Sequence, residues 1–99
     1  MSENASKHTC PITKVAELLS DTWTMLIMRA LTESPKRFSE LEAWLQHISS
    51  RTLTLKLRKL VEEGLVEKTS DGVYQTTKKG DGLKIIERAM QKYSEQYLA

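Results

Sequence analysis

Apolar residues recur at helical spacing along most of the chain, between recognisable start and stop signals. Pro11 suits the first position of a helix, where its missing N–H costs nothing. A second helix has Asp21 or Thr22 as its cap and stops at Ser34-Pro35. The apolar residues that these two helices are expected to bury are Ile12, Val15, Ala16 and Leu19, and then Trp23, Leu26, Ile27, Ala30 and Leu31.

Two further helices follow, separated by a short turn. Ser39 and Glu42 have the spacing of a capping box at the start of the third helix. The fourth helix is capped by Ser49 or Ser50 and ends at Gly64, a residue suited to the left-handed conformation of a helix end. The expected inner faces are Leu41, Trp44, Leu45 and Ile48 in the third helix, and Leu53, Leu57, Leu60 and Val61 in the fourth.

Strand-forming residues replace the helical period after Gly64. Residues 65–69 and 73–76 enclose Asp71-Gly72, which favours a type I′ hairpin turn because both central residues of that turn have positive φ. Thr77 then caps a long last helix. Its apolar residues continue to the end of the chain and are Leu83, Ile86, Ala89, Met90, Tyr93, Tyr97 and Leu98.

The order of elements is therefore three helices, a short turn, a fourth helix, a β-hairpin and a last helix. Two helices joined by a short turn, the second basic and followed at once by a hairpin, make up a winged helix. We predict a mainly α fold with a small β-hairpin, a winged helix-turn-helix that dimerises through its terminal helices. Residues 1–9 are expected to form a flexible polar tail, and residues 10–99 a single domain.

Composition limits the setting in which the protein works. The chain has 99 residues, of which 39% are hydrophobic and 28% charged, as in a globular domain. No apolar run is long enough to span a bilayer, so we expect no membrane partner. The polar start, with no secretory signal, and the lone Cys10 fit a reducing cytoplasm.

Charge is concentrated on the fourth helix. The net charge is only +2, yet no acidic residue lies between Glu42 and Glu62, a window with several cations. A solvated helix face explains the charge equally well, but the outer face also suits the major groove of DNA. Arginine can bind guanine bidentately, and apolar groups can contact the thymine methyl. Lysines, Lys56 among them, and hydroxyl groups would hold phosphates. The predicted DNA contacts are Ser49, Ser50, Arg51, Thr52, Thr54, Leu55, Arg58, Lys59 and, from the wing, Lys68.

Other basic residues are weaker candidates for phosphate contacts. The wing is short, and Asp71 would repel phosphate, so we expect little from it beyond Lys68 and Thr69. As surface cations more often only solvate the protein, the remaining candidates are secondary. They are Lys36, Arg37, Lys78 and Lys79.

The last helix is longer than a small core needs. From Thr77 to Tyr97 it would span about 30 Å, and its apolar stripe either folds back on its own core or pairs with a second copy. We expect a homodimer that sets two recognition helices about 34 Å apart on a near-palindromic site of double-stranded DNA. The predicted dimerisation residues are Ile12, Leu83, Ile86, Met90, Tyr93 and Tyr97.

Several of these motifs together resemble the HxlR family of winged-helix regulators, relatives of the MarR family. Six motifs carry the resemblance: Cys10-Pro11, Trp23-Thr24, Arg37-Phe38-Ser39-Glu40-Leu41, the stretch from Ile48-Ser49 through Arg51, Leu53-Thr54 and Leu57 to Leu60, Glu63-Gly64-Leu65-Val66, and Thr77-Lys78-Lys79-Gly80. The resemblance implies a dimeric DNA-binding repressor or activator. Two departures stand out: Ser20-Asp21-Thr22 replaces the usual Gly-Gly-Lys, and the wing is short and lacks its customary Pro and Arg residues.

The resemblance also implies a role for Cys10, because members of this family often use the cysteine at that position to sense electrophiles or oxidants. A helix N-terminus favours the thiolate, and Lys7 and His8 lie nearby in sequence. With no second cysteine, the product would be an intermolecular disulfide or an adduct on sulfur. The alternative is an unreactive cysteine at the dimer interface.

Signs of other functions are absent from the sequence. Neither His8 nor His47 has metal-ligand spacing with the cysteine, and no phosphate-binding loop or catalytic motif is present. We therefore expect no enzyme activity, metal or cofactor. A winged helix that only docks other proteins is the alternative function, but such a helix would have a larger apolar outer face than Leu55 alone.

Overall fold

A computed structural model describes residues 10–98; the expected tail at residues 1–9 lies outside the described residues. The helices are α1 (Pro11–Leu18), α2 (Thr22–Glu33), α3 (Phe38–Leu45), α4 (Ser50–Glu62), α5 (Lys78–Asp81) and α6 (Lys84–Tyr93), followed by a π-helical turn at Ser94–Leu98. The strands are β1 (Lys36–Arg37), β2 (Val66–Lys68) and β3 (Val73–Thr76). The predicted fold class is confirmed: the protein is mainly helical with a small antiparallel sheet.

Local capping chemistry sets most helix ends where the sequence placed them. Asp21 Oδ1 accepts a hydrogen bond of 2.9 Å from the Trp23 N–H at the start of α2. Ser49 Oγ accepts one of 3.0 Å from the Thr52 N–H at the start of α4. Gly64, with φ of +78°, follows α4 in the left-handed conformation that a glycine adopts at little cost.

The start of α3 differs from its prediction. Ser39 is not the cap, because the helix begins earlier, at Phe38, and Arg37 occupies the cap position. Glu40 Oε1 accepts a 2.7 Å hydrogen bond from the Arg37 N–H. Arg37 also belongs to β1, so the strand runs directly into the helix.

The sheet has the strand order β1-β3-β2. In the central strand, Tyr74 lies between Lys36 of β1 and Lys68 of β2. The sequence did not predict β1, because two residues are too few to show an alternating pattern. The prediction of a type I′ turn was wrong as well, because of the turn residues only Gly72 has a positive φ. The Gly72 N–H donates to the Thr69 carbonyl at 3.0 Å. The connection is thus a longer loop that ends in one left-handed residue.

The core lies between α2, α4, β2 and the start of the last helical segment. Its fully or nearly fully buried residues are Ile27, Met28, Ala30, Leu31, Leu41, Leu53, Leu57, Leu60, Leu65, Val66 and Leu83. The expected faces were partly wrong, because Thr24 and Met28 are buried in α2 instead of Trp23 and Leu26. Val61 and Trp44 are exposed too, each on the flank of its helix.

The first helix lies outside this core. Within one chain Ile12 is 79% exposed, and Val15 and Ala16 are exposed as well, so the predicted burial of this face is wrong for the single protomer. Leu18 and Leu19, at the end of α1, are the residues that pack against the core. No helix among residues 10–98 is both long and apolar enough to cross a membrane.

The prediction of a single long last helix was also wrong. Thr77 Oγ1 accepts a 3.2 Å hydrogen bond from the Gly80 N–H and caps α5, which lasts four residues. The Leu83 N–H then bonds to the Gly80 carbonyl at 3.0 Å, an i→i+3 bond that tightens the chain before α6. Leu83 turns into the core at this break and is 8% exposed.

Gly80 allows α5 to approach the strand entry closely. A Cβ on Gly80 would lie 2.0 Å from the Leu65 carbonyl oxygen, which is backbone and cannot swing away. We expect Gly80→Ala to lower the free energy of unfolding by about 1–3 kcal/mol, the usual cost of overpacking, measured by urea denaturation.

Gly82→Ala is the matched control. Its Cβ would meet nothing closer than 3.4 Å, and Gly82 has φ of −61°, so the change should be neutral or slightly stabilising. Equal losses in the two variants would contradict the importance of this close approach.

Candidate nucleic-acid interface

Helix α4 has a buried side and an exposed side. Leu53, Leu57 and Leu60 are buried in the core. Their spacing turns Arg51 and Arg58 outward, and both are exposed as the sequence predicted. Among residues 10–98 neither guanidinium takes part in a hydrogen bond or ion pair with another side chain, so both are available to a ligand.

Leu55 lies on the same exposed side of α4. It is 49% exposed, beside exposed Thr54 and Lys59. The Thr54 hydroxyl donates to the Ser50 carbonyl at 2.8 Å, which leaves its methyl group for contacts outside the helix. The exposed side therefore combines cations with small apolar groups.

Hydroxyl groups at the start of α4 mainly hold the helix in place. Ser49 Oγ donates to Thr52 Oγ1 at 2.8 Å in addition to capping the helix, and Thr52 is half-buried. Ser50 Oγ donates to Glu42 Oε2 at 2.5 Å, which ties α4 to α3. The first backbone N–H groups of the helix lack intrahelical partners, as at any helix N-terminus, and form a favourable place for a phosphate.

The turn between α3 and α4 has an uncommon backbone. Gln46 and His47 have φ of 51° and 52°, a left-handed region that non-glycine residues seldom adopt. The turn fixes the angle between the two helices of the helix-turn-helix. The sequence placed His47 in this turn but did not predict its conformation.

Two lysines proposed for phosphate contacts serve inside the protein instead. Lys36 is buried, and its Nζ donates to the Ala30 carbonyl at 2.7 Å and to Ser34 Oγ at 2.9 Å. It therefore satisfies carbonyl groups at the end of α2. Lys56 is half-buried and forms an ion pair with Asp21.

Other basic candidates remain near the surface. Lys79 is exposed, but its Nζ donates to the Glu63 carbonyl at 2.8 Å. Lys59 and Lys78 are exposed. Lys68 lies over the Tyr74 ring, with its Nζ 5.4 Å from the ring centroid, and is exposed at the wing.

The wing tip is closed by its own side chains. The Thr69 hydroxyl donates to Asp71, and this bond, the Asp71 backbone amide and the charge of Arg37 together lower the pKa of the Asp71 carboxyl. Arg37 Nη1 also donates to the Asp71 carbonyl at 2.6 Å. The tip thus presents a carboxylate, which fits the expectation that the wing adds little to phosphate binding.

Contacts between distant parts of the chain escaped the sequence analysis. Lys56 and Asp21 are separated by 35 positions, and Arg37 and Asp71 by 34. No periodic pattern or motif joins such residues, because only the packing of their elements brings them together.

Cys10 occupies the cap position of α1 and is half-buried. The Thr13 backbone amide and hydroxyl, and the Ile12 amide, stabilise the thiolate and so lower the pKa of the Cys10 thiol. The thiolate is therefore favoured, as expected for a cysteine at a helix N-terminus. Lys7 and His8, proposed as further contributors, lie outside the described residues.

Exposed apolar residues are concentrated on α1 and on the last helical segment. Of the predicted dimerisation residues, Leu83 lies in the protomer's own core and Ile86 packs partly against it, so Leu83 offers almost no surface to a partner. The exposed ones are Ile12, Met90, Tyr93 and Tyr97. Met90 and Tyr93 also line a groove of about 610 Å³ between α2 and α6, together with Leu26 and Leu98 among others.

No group of three or more His, Cys, Asp or Glu side chains within residues 10–98 is arranged to hold a metal ion.

Comparison with known proteins places this fold in a family. The model of the HxlR-like helix-turn-helix family matches residues 18–99. An HTH-type transcriptional regulator of Synechocystis is 38% identical over 61 residues, which cover 62% of this chain and 45% of that protein. The HTH-type transcriptional regulator YodB of Bacillus subtilis is 30% identical over 95 residues, 89% of this chain and 85% of that protein.

Solved structures agree with the sequence matches. Quinone-bound YodB from B. subtilis has a TM-score of 0.82 and 31% identity, covering 89% of this chain and 100% of that one. The redox regulator HypR in its reduced form has a TM-score of 0.79 and 25% identity, covering 88% of this chain and 92% of that one. The chain belongs to the HxlR-like helix-turn-helix family of DNA-binding transcriptional regulators.

Proposed function

We propose that the protein regulates transcription in the cytoplasm as a homodimer that binds a near-palindromic site on double-stranded DNA. The observation that carries this proposal is the exposed side of α4, where the guanidinium groups of Arg51 and Arg58 have no partner within the described residues. A helix fits the major groove, where each base pair presents a distinct pattern of donors and acceptors.

Each residue of this side has a distinct part in the proposal. Arg51 and Arg58 read guanine through its O6 and N7 atoms, and Leu55 and the Thr54 methyl contact thymine methyl groups. Lys59 and Lys68 hold phosphates and so set the position of the protein without reading sequence. Ser49, Ser50 and Thr52 maintain the helix end from which backbone N–H groups meet a phosphate.

A second copy of the chain is proposed to cover the apolar surface of α1 and α6. Ile12, Met90, Tyr93 and Tyr97 are exposed in the single protomer, and Met90 and Tyr93 also line the groove between α2 and α6. Apolar area of this kind is costly in water and marks an interaction site. A two-fold dimer would place the two α4 helices about 34 Å apart, one turn of DNA, and would require a near-palindromic site.

Cys10 is proposed to make DNA binding sensitive to oxidants and electrophiles. Among the relatives, YodB has been solved in reduced, quinone-bound and diamide-treated forms, and HypR in reduced and oxidised forms. The Cys10 thiolate would add to a ring carbon of a quinone and form a C–S bond. Alternatively, diamide would take up two electrons and two protons as two Cys10 thiols join in an intermolecular disulfide.

A docking module without sequence-specific DNA binding is not favoured. Leu55 is the one large apolar side chain exposed in the middle of the outer side of α4, whereas a protein-docking helix presents a wider apolar surface. The named relatives are transcriptional regulators, and we propose no enzymatic role.

Arg51→Ala tests the reading of bases by α4. We expect a loss of about 1–3 kcal/mol in binding and a relaxed base preference at one position of each half-site. The measurement is competition between the selected site and its single-base variants, repeated over a range of salt because phosphate contacts make affinity fall steeply as salt rises.

Arg88→Ala removes the same charge from an exposed arginine on α6 and controls for net charge. Equal weakening on every sequence by Arg51→Ala would mean that Arg51 holds a phosphate and does not read a base.

The state of assembly is tested by sedimentation at micromolar concentration. We expect the protein to be a dimer and Tyr93→Glu to be monomeric, because the substitution would bury a charge in the interface. Lys78→Glu, a comparable change on α5, should leave the dimer intact. A monomeric wild-type protein would contradict the proposed interface.

The proposed sensing is tested by release of bound DNA after treatment with diamide. The pKa of Cys10 is lowered, so the release rate should rise with pH and level off below the usual range for a thiol. Thr13→Val, which lacks the hydroxyl, should react more slowly at neutral pH, whereas Thr13→Ser should resemble the wild type. If diamide released DNA from Cys10→Ser as it does from the wild type, a sensing role for Cys10 would be excluded.

A further inference from the structure

The Asp21 carboxylate joins two elements of the protein. Its Oδ1 accepts the 2.9 Å hydrogen bond from the Trp23 N–H that caps α2. Its Oδ2 accepts a hydrogen bond from Lys56 Nζ, within an ion pair. Each side chain of the pair is 31% exposed, so water and salt screen the two charges less than on an open surface.

Lys56 holds α4 near its middle. It is the seventh residue of a helix that runs from Ser50 to Glu62. Other polar ties lie at the ends. Ser50 bonds to Glu42 at the start of α4, and just after its end Lys79 Nζ donates to the Glu63 carbonyl and the Thr77 hydroxyl to the Gly64 carbonyl. The ion pair thus fixes the part of the helix between these ties.

Burial of the leucine side fixes which side of α4 faces outward, but apolar contacts resist small rolls of the helix about its own axis less well than a directional polar contact does. The leucine side chains that bury α4 make apolar contacts, which are not directional. A small cavity of about 40 Å³, lined among others by Asp21, Lys56 and Leu60, lies where α4 faces the turn between α1 and α2. Both residues of the ion pair line this cavity. A roll of α4 about its axis would move Arg51 and Arg58, because they lie on the same helix.

We propose that Asp21 is a positioning residue for DNA recognition, which holds Lys56 and thereby orients α4 against the turn between α1 and α2. The inference rests on the proposed DNA binding by α4. It assigns Lys56 to a contact within the protein and not to a phosphate, and it gives an acidic residue a favourable part in binding a polyanion.

Asp21→Asn separates positioning from simple electrostatics. Asparagine caps a helix as well as aspartate does, so the bond to the Trp23 N–H is kept while the charge facing Lys56 is lost. If charge alone mattered, removing a negative charge would tighten DNA binding. If Asp21 acts by positioning α4, the change in DNA affinity has the opposite sign. We expect Asp21→Asn to bind DNA more weakly by roughly three- to tenfold.

Lys56→Gln completes the test. It should weaken binding to a similar degree, and the Asp21→Asn, Lys56→Gln double variant should bind no more weakly than either single variant, because all three break the same pair. The dependence of log Kd on log salt should keep its slope, whereas loss of a phosphate contact would reduce the slope by about one per contact.

Asp81→Asn is the matched control, because Asp81 forms a 3.0 Å ion pair with Lys84, and neither residue belongs to the helix-turn-helix. It should bind DNA as well as the wild type or slightly better. All affinities are measured where urea denaturation shows each variant fully folded, since a purely structural role would change stability and leave affinity intact. The inference would be overturned if Asp21→Asn bound DNA as tightly as the wild type or more tightly. The proposed function itself would be overturned if the wild type showed no salt-sensitive DNA binding.

Discussion

The burial of the leucine side of α4 is the constraint on which the rest of the structure depends. Leu53, Leu57 and Leu60 are removed almost completely from water, each contributing about 1.5–3 kcal/mol. Because a helix repeats every 3.6 residues, burying that side decides which side chains the opposite side presents. Arg51 and Arg58 are therefore exposed as a consequence of where the leucines lie.

Polar contacts add the direction that apolar packing lacks. The basic residues divide into those that complete the fold and those that are free to meet a ligand. Lys36 closes the end of α2, Lys56 holds α4 to Asp21, and Arg37 supports the wing tip. Only some of the basic residues of the chain are therefore available to the interface. The positions of these residues depend on the basic residues that complete the fold.

The apolar surface left on one chain has a simple physical origin. A domain of this size has a small core, and α1 lies outside it, with Ile12 exposed. The last segment adds Tyr93 and Tyr97, whose rings lie 4.9 Å apart on the surface. Both regions are at the ends of the described chain, so a second copy could cover them without disturbing the helix-turn-helix.

Local chemistry in the sequence determined the order of elements, most helix ends and the outward side of α4, because spacing and capping act between residues a few positions apart. The tertiary structure alone decided the rest. The two-residue strand β1 exists because it pairs with β3, and the last helix breaks because Leu83 turns into the core and Gly80 meets the Leu65 carbonyl. The partners of Lys36 and Lys56 likewise come from packing, since a charge on a helix shows its sign in the sequence but not the distant group that it will face.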